Sequence, residues 1–397
     1  MNVYGQILRA PHIAALIGAA LLTRLPLAIN GLAVLLFLRE ETGSFGIAGL
    51  VVGALALGSA LGAPFGSRLM DRRGARMLIP LAVVHASSVL AIWALGEAGA
   101  PTAALIAVAL LAGASLPTAG AVLRSRYTDL LDDERLVHGA YALDSVTIEI
   151  AFVSGPLLTA IAVALVGPAP ALGLSAVLVL AGAILFSASL PGSGEPHPAA
   201  ADHRGALGPL RDPAIMMVAL STVPVGFCLG TIEVSIPAFA AGEGGSVLAG
   251  VLLAAWSGAS GIGGLIYGAR ASTRPRFDSF LAIAVCFPLA CLPVALAWSP
   301  ASMFALVLLA GAPIAPLIAS RNLLVGALAP HGTGAESFTW LMTALVVGLS
   351  AGNAIGGAVI EAEGWPAAVL AGCAVAAIGA AFTFGFRGSL RPRLATG

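Results

Sequence analysis

Lysine is missing from the whole chain, and only 10% of its 397 residues are charged, where a water-soluble domain carries about a quarter. A soluble domain is thereby excluded. Segments of about ten residues with alternating polarity are also missing, so the chain does not read as a transmembrane barrel. There is no glycine-rich phosphate loop of the nucleotide-hydrolysing kind, which argues against direct pumping by ATP. Cysteine is scarce. Cys228, Cys286, Cys291 and Cys373 lie in apolar stretches without metal-ligand spacing, so each reads as small apolar filler, and neither a metal nor a cofactor is expected. The short connections hold no carboxylate and histidine cluster of the sort a multi-spanning membrane enzyme needs. They also leave no room for the soluble input or output domain of a sensor.

What the chain has in quantity is apolar residues, at 59%. They fall into stretches of about 20, the length of helix needed to cross roughly 30 Å of hydrocarbon. Spans are predicted near 13–37, 46–67, 77–97, 102–124, 138–165, 170–190, 213–240, 246–269, 279–298, 301–322, 335–360 and 365–386. This is an all-α membrane protein of twelve transmembrane helices embedded in a lipid bilayer. The first span carries Arg24 and Asn30 and no small-residue cleavage site follows it, so it reads as a retained helix rather than a signal peptide.

Although the net charge is zero, the charges are sorted. Twelve crossings put Arg39 on one side, and on the other Arg9, the 68–76 cluster, Arg124, Arg126, Arg135, Arg204, Arg211, Arg270, Arg274, Arg276, Arg321, Arg387, Arg391 and Arg393. Arginine-rich loops stay inside. Both termini are therefore expected in the cytoplasm, with the protein in the inner (plasma) membrane.

The rhythm of short loops is broken once, at 191–211, a stretch rich in Pro, Gly and His that reads as a flexible cytoplasmic linker. It divides the chain into an N-terminal bundle, 1–190, and a C-terminal bundle, 212–397. Landmarks recur at a shift of about 200: Gly66-Ser67-Arg68 with Gly268-Ala269-Arg270, Gly113-Ala114 with Gly311-Ala312, and Gly155 with Gly352. Flat faces are predicted at Gly58, Gly62 and Gly66 and again at Gly348, Gly352 and Gly356, because helices in lipid associate through close packing of small residues. Weaker versions occur at Gly250, Ala254 and Gly258, and at Ala151 and Gly155.

Between the second and third spans the chain reads GSRLMDRRGARM, residues 66–77. With Asp71, Arg72, Gly74 and Arg76 in place, and Gly66 one residue further from Asp71 than the pattern has its glycine, it resembles the signature loop of the major facilitator superfamily, G-x-x-x-D-R-x-G-R-[RK]. Arg73 is an added charge, and Ala75 stands where the pattern is usually basic. Together with twelve spans and a central linker, the resemblance covers essentially the whole chain. It implies two pseudo-symmetric six-helix bundles that open alternately to either side, after the manner of bacterial drug and metabolite exporters. It also implies that Asp71, Arg72, Arg73 and Arg76 form a cytoplasmic gate whose Asp71 engages the start of the eleventh helix, near Gly334–Glu336. A bare topological role for these arginines is the simpler alternative. VSGPLL at 153–158 resembles in part the antiporter signature of the fifth helix: Gly155 and Pro156 match, while Ala151, Leu158 and Thr159 stand where it has glycine.

Arg24, Asp144, Glu149 and Glu233 fall within spans, each at a cost of about 2.5–3.5 kcal/mol at mid-span, so they read as paired or functional groups and as candidates for proton coupling. Arg24 and Glu149 should lie at similar depth. The family resemblance makes the first and fifth helices neighbours, so an Arg24–Glu149 ion pair is expected. Asp144 lies nearer the cytoplasmic end and reads as a solvated cap or gate residue. Glu233 lies in a helix interrupted by Pro224, Gly226, Gly230 and Pro237, and no arginine is placed at its depth in the second half; an unpaired carboxylate there suits a proton carrier. Asn30, Tyr141, Trp256, Trp340 and Asn353 are candidate walls of a substrate cavity. His85 is discounted as peripheral.

These features predict a secondary transporter, not an enzyme: a monomer that moves a small, largely apolar organic compound outward in exchange for protons. Its partners are the small-molecule substrate, protons and the bilayer, with no nucleic acid. Proton-coupled uptake of a sugar or organic acid is the alternative. It is disfavoured because a sugar site wants more polar groups, and an anion site wants a buried arginine that the second half is expected to lack.

Overall fold

The computed structural model describes residues 3–131, 133–191, 208–270, 277–328 and 334–388; within these ranges the side chains of Asp71, Arg72, Tyr141, Glu149 and Glu336, among others, are outside the description. Helices account for almost all of it: α1 (Val3–Arg9), α2 (Ile13–Thr42), α3 (Phe45–Arg73), α4 (Leu78–Glu97), α5 (Thr102–Ala114), α6 (Ala119–Leu130), α7 (Glu134–Val166), α8 (Pro168–Ser189), α9 (Pro213–Glu243), α10 (Gly245–Arg270), α11 (Phe277–Cys291), α12 (Pro300–Gly311), α13 (Ile314–Leu328), α14 (Gly334–Glu363) and α15 (Trp365–Gly385). Among the described residues ten helical segments are long and apolar enough to cross a membrane, and Thr102–Ala114 and Ile150–Val166 are shorter apolar helices. Leu165, Leu265, Ile262 and Ile378 point outward and exposed, as side chains that meet lipid should.

The chain divides into two compact units. One comprises Met1–Glu41 with Leu57–Ala201, the other Thr42–Ala56 with Asp202–Gly397. Most of the expected linker lies outside the described residues. Its end is ordered: Gly208–Arg211 form a 3-10 turn, and Asp212 caps α9 by accepting a hydrogen bond from Ala214 N at 2.8 Å, with Pro213 in the first turn. An N-cap carboxylate ahead of a proline is a strong start signal.

Two predicted spans are split between two α-helices, and the ninth passes from α11 into a 3-10 turn at Leu292–Leu296. The fourth breaks at Ser115–Thr118 between α5 and α6, and the tenth at Ala312–Pro313 between α12 and α13. Proline explains both, since Pro117 and Pro313 have no N–H to give and disfavour helix in the residue before them. The sharp turns between neighbouring helices depend on glycine. Gly43 (φ 70°) and Gly245 (φ 69°) occupy one kind of turn, and Gly167 (φ 94°) and Gly364 (φ 87°) another, conformations that a side chain resists.

Inside the first unit, α2, α4 and α8 enclose a core built on Leu16, Leu78, Tyr127, Val179 and Phe186. Gly58 and Gly62 of α3 lie against the backbone of Leu110 and Ala114 of α5, but Gly66 has only Leu81 Cδ1, at 4.0 Å from where a Cβ would stand. The third member of that predicted face is therefore not used for close packing. In the second unit all three glycines of α14 are used: Gly348 meets Val223 and Phe227, Gly352 meets Phe227, and Gly356 meets Thr231 and Val234. The fit is reciprocal, because Gly226 and Gly230 of α9 lie on the carbonyls of Leu345 and Leu349. These two glycines do not interrupt α9, which runs unbroken with Pro224 and Pro237 inside it; they serve its contact with α14. Gly258, on the weaker predicted face, meets nothing within 4 Å.

Candidate functional site

Among the described residues, two charged sites inside the apolar helices lie one in each unit. In the first unit Arg24 reaches from α2 to α7, where its Nη2 lies 2.6 Å from Asp144 Oδ1. Its Nη1 donates to Thr147 Oγ1 and, at 3.5 Å, to the backbone oxygen of Asp144. Thr147 Oγ1 donates to that same oxygen at 2.7 Å. Asp144 is 2% exposed. Beneath the guanidinium is Gly120 of α6, where a Cβ would collide with Arg24 Nη2. One cation thus bridges two helices over a third that has been cleared of side chain.

This pairing corrects the expectation for Asp144, which is a buried partner and not a solvated cap. The reason is the start of α7. It begins at Glu134, so Asp144 stands roughly 15 Å along its axis, close to the depth of Arg24, about 16 Å from the start of α2 at Ile13. The expected partner, Glu149, has its side chain outside the described residues. Thr147 and Gly120 are additions to the predicted set; a hydroxyl and a glycine carry no sign of buried charge until the helices are assembled.

In the second unit Asn353 Nδ2 of α14 lies 3.4 Å from Glu233 Oε2 of α9. Asn353 is fully buried, and its Oδ1 has no partner among the described residues. Among those residues the amide is Glu233's one hydrogen-bond partner, and no cation stands within ion-pair distance of it. A turn earlier on α14, Ser350 Oγ donates to the carbonyl of Gly53, in the part of α3 that belongs to this unit. The sequence assigns Glu233 and Asn353 to separate roles, and the α9–α14 glycine contact puts them side by side.

The other candidates are distributed. Asn30 is 1% exposed and donates through Nδ2 to His85 Nε2 at 3.2 Å, while His85 Nδ1 donates to Ala112 O at 2.7 Å. This makes an interior tie across α2, α4 and α5, in which His85 is a member and not a bystander. Trp256 of α10 has a buried Nε1 with no partner among the described residues. Trp340 is half-buried on α14, and the side chain of Tyr141 lies outside the described residues. In the signature loop α3 runs on through Arg73, Gly74 turns the chain with φ 80°, and a 3-10 turn at Ala75–Met77 leads into α4. Arg76 Nε donates to Arg73 O at 2.8 Å, closing the turn.

Arg321 overturns one expectation. It is 4% exposed, in the middle of α13, with Nε and Nη2 unpartnered among the described residues, so the second half does hold a buried arginine. The predicted span ends at 322, yet after the break at Pro313 the helix continues to Leu328 and carries Arg321 about 10 Å deeper than its end. The apolar run after Asn322 is the signal in the sequence that points to this.

A family model, the Major Facilitator Superfamily, matches residues 16–333. Solved structures show the same fold. The nucleoside transporter NupG, in a mutant form, superposes with a TM-score of 0.72 at 14% identity, over 94% of this chain and 99% of that one. A bacterial homolog of the human lysosomal transporter Spinster, inward-facing and unoccupied, gives 0.71 at 14% identity, over 96% and 97%. The human organic anion transporter MFSD10 (TETRAN) gives 0.64 at 14% identity, over 93% and 98%. No curated protein matches by sequence.

Proposed function

The chain belongs to the Major Facilitator Superfamily; it is a multi-pass transporter of small molecules, not an enzyme, and from that premise we propose that it exports a small, largely apolar organic compound in exchange for protons. The two bundles expose the substrate alternately to either side. The observation that carries this reading is Glu233, a carboxylate held in α9 against the amide of Asn353 with no cation beside it among the described residues. Such a group is able to take up and give back a proton without separating charge from a fixed partner. The Arg24–Asp144 pair is a second buried charged site, one that a substrate charge would engage. Trp256, Trp340 and Tyr141 are offered as apolar walls with a few polar edges.

The experiment loads proteoliposomes with a pH-sensitive dye and screens compounds for substrate-dependent proton movement. Glu233→Gln is expected to abolish proton movement while substrate counterflow persists, and Asp144→Asn to slow both. Proton-linked flux at the wild-type rate in Glu233→Gln removes the coupling role. In the orientation proposed, with both termini in the cytoplasm, uphill movement directed inward would instead establish uptake.

A further inference from the structure

Neither the packing of the second unit nor the proposed coupling uses Arg321. Its guanidinium lines a cavity enclosed by α9, α11, α13 and α15, all of the same unit, with Ser221, Thr222, Phe280, Ala284 and Thr383 in the wall. Among the described residues no carboxylate lines that cavity. The polar side chains in the wall have already placed their protons: Ser221 and Thr222 each donate to Val218 O at 2.8 Å, and Thr383 donates to Gly379 O at 2.8 Å. The donors left over are those of Arg321, whose Nε and Nη2 find no acceptor among the described residues.

A guanidinium cannot escape burial by losing its proton, because it stays charged under all ordinary conditions. An isolated buried charge is costly unless a counter-charge meets it, and the walls of this cavity supply none. The missing acceptor is therefore sought outside the chain. The free space in the cavity is small, which favours a compact monatomic anion over a tetrahedral oxyanion. The apolar part of the wall, Phe280 and Ala284, lowers the local dielectric and strengthens the attraction.

We propose that Arg321 seats a resident chloride, or a halide of like size, in this cavity of the C-terminal unit. The ion is the counter-charge of an arginine that the cavity walls leave unpaired. Because all the lining residues belong to one unit, the ion is held by the fold of that unit whatever compound is transported.

The test is equilibrium binding on the full-length protein in detergent, so it does not depend on transport. Thermal unfolding is followed while chloride, bromide, acetate or phosphate replaces gluconate at constant ionic strength. Chloride and bromide should raise the midpoint of the wild type saturably, by about 2–5 °C if binding is millimolar, and phosphate should not. Arg321→Gln should lose the response and, in gluconate, be at least as stable as the wild type. Should that variant fail to fold, equilibrium dialysis of the wild type against radioactive chloride decides, with one displaceable ion per chain expected. No saturable binding, or an equal response in Arg321→Gln, overturns the proposal. A response to acetate but not to chloride overturns it as well, and assigns the seat to a substrate carboxylate.

Discussion

A buried ion pair is worth little against an apolar replacement of the same shape, but breaking one partner is expensive, because the other is left charged and unpaired. That asymmetry governs Arg24 and Asp144. Asp144→Asn should destabilise the detergent-solubilised protein by about 3–5 kcal/mol, read as a lowered thermal midpoint. The double change Arg24→Gln with Asp144→Asn should recover much of the loss. If the two single effects simply add, the pair is not coupled as its geometry states. Gly120→Ala should resemble a partial loss of the pair at a cost of about 1–3 kcal/mol, because the added methyl occupies the place of the guanidinium. It should be rescued in a background where Arg24 has been shortened to Gln. Persistent destabilisation in that background would mean that Gly120 is needed for helix packing alone.

Among elements, α9 and α14 meet backbone to backbone. A Cβ on Gly352 would strike the carbonyl of Phe227, and one on Gly226 the carbonyl of Leu345; neither can yield as a flexible side chain would. Gly352→Val and Gly226→Val should therefore abolish the folded, monodisperse protein. Gly258→Ala should be neutral or stabilising by up to about 1 kcal/mol, since it sits in a helix with open space around it. Comparable losses at all three positions, measured by size-exclusion yield and melting, would contradict the packing. This contrast also bounds what the sequence discloses. The spacing of glycines announces helix faces, and Gly348, Gly352 and Gly356 are used as announced. Spacing cannot tell that Gly66 meets only the tip of a side chain and Gly258 nothing at all, because that depends on which helix passes opposite. Hydropathy locates the spans, yet it runs straight through the breaks at Pro117 and Pro313. A proline inside a long apolar run is tolerated when neighbouring helices restore the lost hydrogen bonds, as Pro224 and Pro237 show within an unbroken α9. Buried charge is recognisable wherever it falls mid-span, at Arg24, Asp144 and Glu233. It is concealed at Arg321, because hydropathy ends that span too early. Pairings are the least legible, since the partner of Arg24 turns on where α7 begins.

For the molecule as a whole, the deepest regularity is that one packing plan is written twice. Gly155 of α7 lies on Ala28 of α2 in the first unit, and Gly352 of α14 on Phe227 of α9 in the second; Gly182 meets Thr23, and Gly379 meets Pro224. Gly62 rests on Ala114 at one helix break, and Gly263 on Ala312 at the other. Each pair recurs at a shift of roughly 200, as a duplicated design of six spans per copy would have it, a plan recurrent among secondary transporters. An even number of crossings per copy returns the chain to its starting side, so the connection near residue 200 should share a side with both termini. The arginines crowd into loops on that same side, which is therefore expected to be the cytoplasm. Single cysteines placed in a background without Cys228, Cys286, Cys291 and Cys373 make the statement measurable. Ala98→Cys and Ala301→Cys should react with a membrane-impermeant maleimide in intact cells, whereas Ala200→Cys should react only after permeabilisation. Labelling of Ala200→Cys from outside would invert the orientation. Opposite behaviour of Ala98→Cys and Ala301→Cys would mean that the two copies do not cross the bilayer in the same sense, and the doubled plan would then be coincidence of small residues.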